Sequence, residues 1–498
     1  MELFIERRAL SLLATVSSFL SEQNIKAYLV GGFVRDVLLG RDTADIDIAV
    51  AADALEIAPR LAAALGGKYV LLDKENGVGR IVLADDAAAS AEGQWELDIS
   101  TLIGGIEQDL ARRDFTVDAM GVDLGQLGGK QADIELIDPF DGRDDLQKGV
   151  IRTIAATAFE SDAARLLRAV RLAAELGFSI DKETDALIRR CSHLIAGVAG
   201  ERVREELLRL LAVSRAGHFL RCLDSLGLLT AMIPELAQAK GVSQPKEHFW
   251  DVFDHSIETV VAVDFLLRRG DWKYADEEAL AVVPWSDRLK RHFEQEVSSG
   301  STRGSLLKLA ALLHDVAKPK SKAIDAMGRM RFLGHTDEGA EMTADILEKL
   351  RFSNKEVKLV EIMVRHHLRP VQMSHNGFPS HRAIYRYFRD TGEAGIDTLF
   401  LSLADHLAAR GAHLSLSQWK EHAQRVEYVL HQRFQEESVV IPLKLVDGHD
   451  LIDIFAMSPG PEMGKILEAV REAQAAGELT TREQALSYIQ DSLLYKRV

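Results

Sequence analysis

Strand-like runs crowd into one stretch of this chain and then stop, and that change of period limits the architecture more than any other feature. Between Ala27 and Ile154 the short runs AYLVGG, DIDIAV, GRIVLA, WELDIS and IELID alternate with helical segments, the pattern of a mixed α/β domain. After Thr153 the strand signals cease. SDAARLLRAVRLAAELG places apolar side chains at helical spacing, opens on Ser/Asp cap candidates and closes on Gly177. Further helices follow almost without interruption. The sequence therefore predicts an α/β head, a mixed sheet with helices, followed by an all-α remainder. At 498 residues the chain exceeds one core, since domains average about 150 residues. Asp271 to Gly304, acidic at first and Ser/Gly-rich at its end, reads as an insertion or linker.

Composition excludes several classes. Charged residues make up 27% and apolar ones 47%, and no run of about 18 apolar residues suggests a bilayer span. The N-terminal MELFIERRALSLLATVSSFLSEQ lacks a basic region followed by a small-residue cleavage site, and reads as an amphipathic helix of a cytoplasmic protein. Cys191 and Cys222 are too few for a disulfide framework or a thiolate metal site, so any metal must use oxygen or imidazole. The net charge of −16 argues superficially against a nucleic-acid partner. From Arg152 to Arg221, however, twelve basic residues face nine acidic ones, and a polyanion fits best there.

In DIDIAV, Asp45 and Asp47 are two apart, so on a strand both carboxylates leave one face, about 6.5–7 Å apart. Such a face suits Mg²⁺, which wants hard oxygen ligands and completes its shell with substrate phosphates. Asp98 in WELDIS offers a third carboxylate from a neighbouring strand. Gly31 and Gly32 stand between a strand and a helix, where backbone N–H groups can approach a triphosphate. Arg35, one turn on, can meet phosphate. Taken singly, Gly-Gly is usually a turn and D-x-D a solvated loop end. Their occurrence within seventeen residues points to shared chemistry.

VGGFVRDVLLGRDTADIDIAV strongly resembles the signature of the class II tRNA nucleotidyltransferases (CCA-adding enzymes) and the related bacterial poly(A) polymerases. EQDLARRDFTVDAM is similar to the family's RRD motif, and the resemblance makes Arg113 a ligand of the incoming nucleotide, with Arg112 and Asp114 supporting the ribose or the fold. DPFDGRDDLQKGVIRTI matches the end of the head, and FESDAARLLRAVRLAAELGF the base-selecting helix. The resemblance covers about residues 25 to 215. Asp162 and Arg165, three apart on an expected helix, would share a face and present an acceptor beside a donor to the Watson–Crick edge of cytosine or adenine. Uracil and guanine would leave buried polar groups unpaired, at about 1–3 kcal/mol each. Arg168 and Arg171 continue the stripe, and the resemblance implies that they too contact nucleotide. The plainer alternative is a helix start capped by Ser161 or Asp162, with solvated arginines. Two departures stand out: the family's glutamate is Ser161 here, and only ISTLIGGIEQDLA separates Asp98 from Arg112. CCA-adding relatives carry a longer flexible loop there, needed for the switch from C to A, and relatives that add only the two cytidines have a shortened one. CC and CCA addition both remain open.

The helical part supplies His255, His314-Asp315, His335, His366-His367 and Asp405. Preceded by ALL and followed by VAKP, the His-Asp pair resembles the HD phosphohydrolase superfamily, whose ordered ligand series is H…HD…H…HH…D. The resemblance implies a divalent metal (Mg²⁺, Mn²⁺ or another transition metal) with Asp315 able to bridge two ions, and a phosphatase or phosphodiesterase acting on RNA ends or 2′,3′-cyclic phosphates. The other reading is a metal-stabilised body that holds tRNA. The expected organisation is a nucleotidyltransferase head over 1–152, a base-selecting, RNA-binding neck over 153–220, an HD-like domain over 221–420 and a helical tail over 421–498. The expected partners are tRNA, CTP and ATP, with no membrane. Rival readings are a poly(A) polymerase or A-adding enzyme, an HD hydrolase whose head only binds RNA, and a non-catalytic RNA-binding scaffold.

Overall fold

Asp53 starts the helix Ala54–Leu65 by accepting the N–H of Leu55 at 2.8 Å, and Gly66, in the left-handed region at φ 70°, ends it. Side-chain caps of the same kind start Lys182–Cys191 at Asp181, Val252–Leu266 at Asp251 and Asn354–His366 at Ser353. A computed structural model describes residues 5–83, 95–128, 134–298, 300–373, 377–435 and 444–495. They divide into two compact units, Met1–Gly197 and Val198–Val498.

The first unit is built on a seven-stranded mixed sheet of β1 (Ala27–Val30), β2 (Asp45–Val50), β3 (Lys68–Asp73), β4 (Val78–Leu83), β5 (Trp95–Thr101), β6 (Gly121–Asp123) and β7 (Leu136–Ile137), in the order β3-β4-β5-β2-β1-β6-β7. β2 and β5 pair in parallel at the centre, and the other pairings are antiparallel. Ile46 and Ile48 of β2 are fully buried while Asp45 is exposed, the alternation expected of a half-covered strand. Arg7–Glu22 is the expected amphipathic helix, burying Ala9, Leu13, Val16 and Leu20. The first part of the expected neck, residues 153–197, belongs to this unit.

The second unit is helical, with two two-stranded hairpins at Glu296–Thr302 and Lys322–Phe332. Asp271 to Gly304, expected as an insertion or linker, is instead part of this body: Trp272, Leu289 and Phe293 are buried, and Phe293 packs edge-on against Phe400. Glu277, Glu278, Asp287 and Arg291 face outward, while Ser301 and Arg303 are buried with that apolar edge. In the tail, Val446, Leu451, Ile466, Val470, Ala473, Leu479, Ala485 and Ile489 form a core of their own. Residues 436–443 and 496–498 of the expected tail lie outside the described residues. Among the described residues no helix is long and apolar enough to cross a membrane.

Candidate active site and metal centre

In the head, register brings the acidic residues together. Asp47 of β2 is the parallel partner of Asp98 on β5, and Asp45 the partner of Glu96, so all four side chains project from one sheet face. Arg80 on β4 stands opposite Asp98 and holds it bidentately, Nε to Oδ1 at 2.7 Å and Nη2 to Oδ2 at 2.8 Å. It also pairs with Glu96. On the other side of Asp47 the chain leaves β1 at Gly31, which caps the helix Gly32–Leu38 with φ 70°. A Cβ at Gly31 would lie 2.9 Å from both Asp47 Oδ2 and Arg113 Nη1. Only glycine brings the backbone this close to a carboxylate and a guanidinium.

Burial pushes the Asp47 carboxyl up to about 6; Asp45, Asp98 and Asp118 push the same way and Arg113 opposes them. A partly buried carboxylate crowded by others is stabilised by a cation, so this face fits a divalent ion. Arg35, expected to be poised for phosphate, is engaged within the protein: Nη1 meets Asp118 at 2.5 Å, and Nε and Nη2 meet Asp36 at 3.0 Å. Burial alone would lower its pKa, but Asp118 and Asp36 outweigh it and hold the pKa above the ordinary range.

The residues expected from the sequence to read the base are gathered around Asp114. Its carboxylate meets Arg165 Nε at 2.5 Å and Arg168 Nη1 at 3.3 Å, while Arg165 Nη2 donates to the Arg112 carbonyl at 3.1 Å. Contrary to the expectation from the sequence, Asp162 and Arg165 do not share one helix. Asp162 is extended (φ −151°) in the break between the helices Ala158–Ser161 and Arg165–Leu176, and its Oδ1 accepts the Ala164 N–H at 3.2 Å. The two side chains nonetheless approach to 4.0 Å. Arg168 is half exposed, whereas Arg171 is buried and paired with Glu175 at 2.5 Å.

In the second unit three helix ends and two mid-helix positions converge. His255 comes from the helix Val252–Leu266, His314-Asp315 from the end of Arg303–Leu313, His335 from the start of His335–Lys349, His367 from just past Asn354–His366, and Asp405 from Gly395–Arg410. They form three overlapping sets of ligand atoms, each within 4.8 Å: His255, His314 and Asp315; His314, His367 and Asp405; Asp315, His335 and His367. His314, His335 and His367 each direct Nδ1 to a backbone carbonyl three residues earlier, at 2.8, 2.6 and 2.7 Å. That fixes the tautomer and aims Nε2 inward. The buried Nε2 of His335 has no hydrogen-bond partner, which suits it to ligate a metal. Burial lowers the pKa of His255 and, to about 3, that of His367. Burial would raise those of Asp315 and Asp405, but their histidines, and Lys318 beside Asp315, hold both well below the usual range. Neutral imidazoles and ionised carboxylates are the forms that bind metal. His314 is shifted upward, because Asp315 and Asp405 outweigh its burial. His366 stays outside the cluster; successive helical residues diverge by about 100°, so only one of the pair points inward.

Sequence reasoning passed over Arg80, and also Lys318, His248 and His406. Lys318 Nζ lies 2.6 Å from Asp315 Oδ2 and 2.7 Å from Gln244 Oε1. With His248, His406 and Arg410 it lines a cavity of about 580 Å³ that reaches His335, His367 and Asp405. The signal for Lys318 was its position three after Asp315; cross-strand pairing of Arg80 with Asp98 has no local signal.

Residues 27–152 match the poly A polymerase head domain, 177–240 the probable RNA and SrmB-binding site of polymerase A, and 276–410 the HD domain. The A-adding tRNA nucleotidyltransferase of Deinococcus radiodurans is 34% identical over 93% of this chain and 95% of its own length. The CC-adding tRNA nucleotidyltransferase of Thermus thermophilus is 33% identical over 93% of each. A solved complex of a CCA-adding enzyme with CTP shares the fold, with a TM-score of 0.63 and 22% identity over 98% of this chain and 96% of that one.

Proposed function

The chain belongs to the tRNA nucleotidyltransferase family, and from that premise we propose that it adds the two cytidines, and not the terminal adenosine, to the 3′ end of tRNA. The carrying observation is the connection between β5, ending at Thr101, and the helix beginning at Ile106: only Leu102, Ile103, Gly104 and Gly105 intervene. Four residues leave no room for a loop that could reshape the site for ATP after two cytidines. The CC-adding relative from Thermus thermophilus accords with this reading, and the A-adding relative from Deinococcus radiodurans with the rival one that the assay below separates.

In this reading Asp45, Asp47 and Asp98 hold Mg²⁺. A divalent ion bound there supplies the charge that lowers the pKa of the RNA 3′-hydroxyl and offsets the charge developing on pyrophosphate. The chain's own groups do the rest. Gly31 and Gly32 let backbone N–H groups approach the triphosphate, and Arg113 neutralises it beside Asp47. Asp162 and Arg165 read the base edge, with Asp114 fixing Arg165 and Arg168 against the RRD segment. Arg35 and Arg171 act by holding the turn and the helix. The enzyme would work in the cytoplasm on tRNA.

Labelled CTP or ATP, supplied singly with tRNA ending before or after the CC, tests the reading. The expected result is two cytidines and no adenosine; adenosine added after CC overturns the CC assignment. Asp45→Ala with Asp47→Ala should reduce incorporation to background, and incorporation that persists removes the assigned site.

For the second unit, His255, His314, Asp315, His335, His367 and Asp405 would hold a divalent metal, Mg²⁺, Mn²⁺ or another transition metal, supporting phosphoester hydrolysis in the cavity beside them. Hydrolysis of 2′,3′-cyclic AMP that disappears in His314→Ala and Asp315→Ala supports that activity. Hydrolysis that survives both substitutions counts against it.

A further inference from the structure

A second cavity of the helical unit, of about 260 Å³, shares no lining residue with the histidine cluster. Three arginines from three helices line it: Arg288, Arg303 and Arg433. Arg288 lies over the Phe434 ring, 4.1 Å from its centroid, and Arg433 over Phe388 at 5.6 Å. Neither guanidinium has an ion-pair partner among the described residues. A guanidinium seated on an aromatic face keeps its N–H edge available.

Arg303 is different. It is buried, and its Nη1 donates to Asp397 Oδ2 at 2.7 Å and to the Glu393 carbonyl at 3.2 Å. The same Asp397 carboxylate, fully buried, meets His292 Nε2 at 3.2 Å. One hidden carboxylate thus orients two of the lining groups from behind. Its charge offsets that of Arg303, and the exposed Glu393 side chain on the rim works against an anion. The net attraction comes from Arg288 and Arg433.

Forked donors on several sides of a polar cavity match the oxygens of a phosphate group. The volume admits a phosphate with its sugar and falls below the roughly 300 Å³ at which drug-sized pockets begin. A chain of net charge −16 also needs local cationic foci wherever it touches a polyanion. We propose that this cavity is a phosphate-binding site, taking either a backbone phosphate of RNA or the phosphate of a free nucleotide. The assignment does not depend on which nucleotides the head transfers.

Arg288→Gln with Arg433→Gln removes the two charges that have no ion-pair partner among the described residues and leaves the Arg303–Asp397 pair intact; its denaturation midpoint is compared with that of the parent chain. Two measurements on the full-length protein separate the sources: tRNA affinity across a salt series, and equilibrium dialysis of labelled CMP. If RNA is the source, tRNA binding weakens about tenfold and the log–log salt slope becomes shallower by roughly one, as expected for about one lost phosphate contact. If a free nucleotide is the source, one equivalent of bound CMP is lost while tRNA affinity holds. The pair Arg288→Lys and Arg433→Lys, which keeps the charge, should restore most of either effect. A folded double variant with unchanged tRNA affinity, salt slope and CMP stoichiometry overturns the proposal. Should that variant fold poorly, Arg433→Gln alone is measured in the same two ways, and unchanged values in it overturn the proposal equally.

Discussion

Lys308 and Asp264 form an ion pair at 2.6 Å that solvent does not reach, and it joins the helix bearing His255 to the helix ending in His314-Asp315. Lys308 Nζ also donates to the carbonyls of Leu211 and Val213, at 2.8 and 2.9 Å. Burial drives the Asp264 pKa up and the Lys308 pKa down, and their mutual attraction opposes both shifts. Lys308→Met therefore strands a carboxylate in the core, and should lower stability to denaturant by about 3–5 kcal/mol. Adding Asp264→Leu should recover most of that loss, because an apolar pair of similar size restores packing without a buried charge. A double variant no more stable than Lys308→Met would show that the pair is not the source of the cost.

Arg80 and Asp98 lead to a kinetic prediction. Two parallel hydrogen bonds fix the Asp98 carboxylate beside Asp47, and lysine cannot reproduce that fork. Arg80→Lys and Arg80→Ala should both lower kcat for CTP incorporation, the alanine variant by about 10²-fold, the order of loss that a misplacement near 1 Å produces. KM for CTP should change little, since Arg80 acts through Asp98. A raised KM with kcat preserved would assign Arg80 to nucleotide binding instead.

How much of this was legible in the sequence depends on whether the deciding interaction is local. Asp45, Asp47 and Asp98 could be placed because strand alternation is local, and the histidine series because its ligands follow one another in a recognisable order along the chain. β3 passed unnoticed: KYVLLD lacks alternation, being an edge strand with Val70, Leu71 and Leu72 exposed. β6, at three residues, is too short to show a period. The break at Asp162 was hidden because the surrounding residues continue a helical pattern while the aspartate side chain competes for the Ala164 N–H. Arg35 looked free because its partner Asp118 lies 83 positions away.

Asp47 gives the site a pH dependence. Its carboxyl is raised to about 6 by burial, above the ordinary value near 3.9 of an unfolded chain. Between those values the native state holds more protons than the unfolded one, so the stability of the metal-free head should fall as pH rises through that window. A divalent ion must displace the same proton. The Mg²⁺ concentration for half-maximal incorporation should therefore stay level near neutral pH and climb once pH drops below about 6, approaching tenfold per unit. Incorporation measured against Mg²⁺ between about pH 7.5 and 5.5 checks this; a flat requirement would contradict it.

Gly31 and Gly32 are neighbours with different tolerances. At Gly31 the backbone is left-handed (φ 70°), and a Cβ would meet Asp47 Oδ2 and Arg113 Nη1 at 2.9 Å each. At Gly32 φ is not positive, and the nearest atom is the flexible end of Arg35 at 3.4 Å. Gly31→Ala faces a backbone cost of about 1–2 kcal/mol and must displace either a candidate metal ligand or the arginine beside it. Gly32→Ala faces neither. The first should lower kcat/KM for CTP by roughly 10²-fold, since both groups move within the site, and the second should leave most activity. Stability separates the causes: Gly31→Ala should lose no more than its backbone cost in a denaturant titration, so a large activity loss with a small stability loss assigns the effect to the site. Equal activity in the two variants would mean that the close approach of Gly31 to Asp47 and Arg113 is not part of the working geometry.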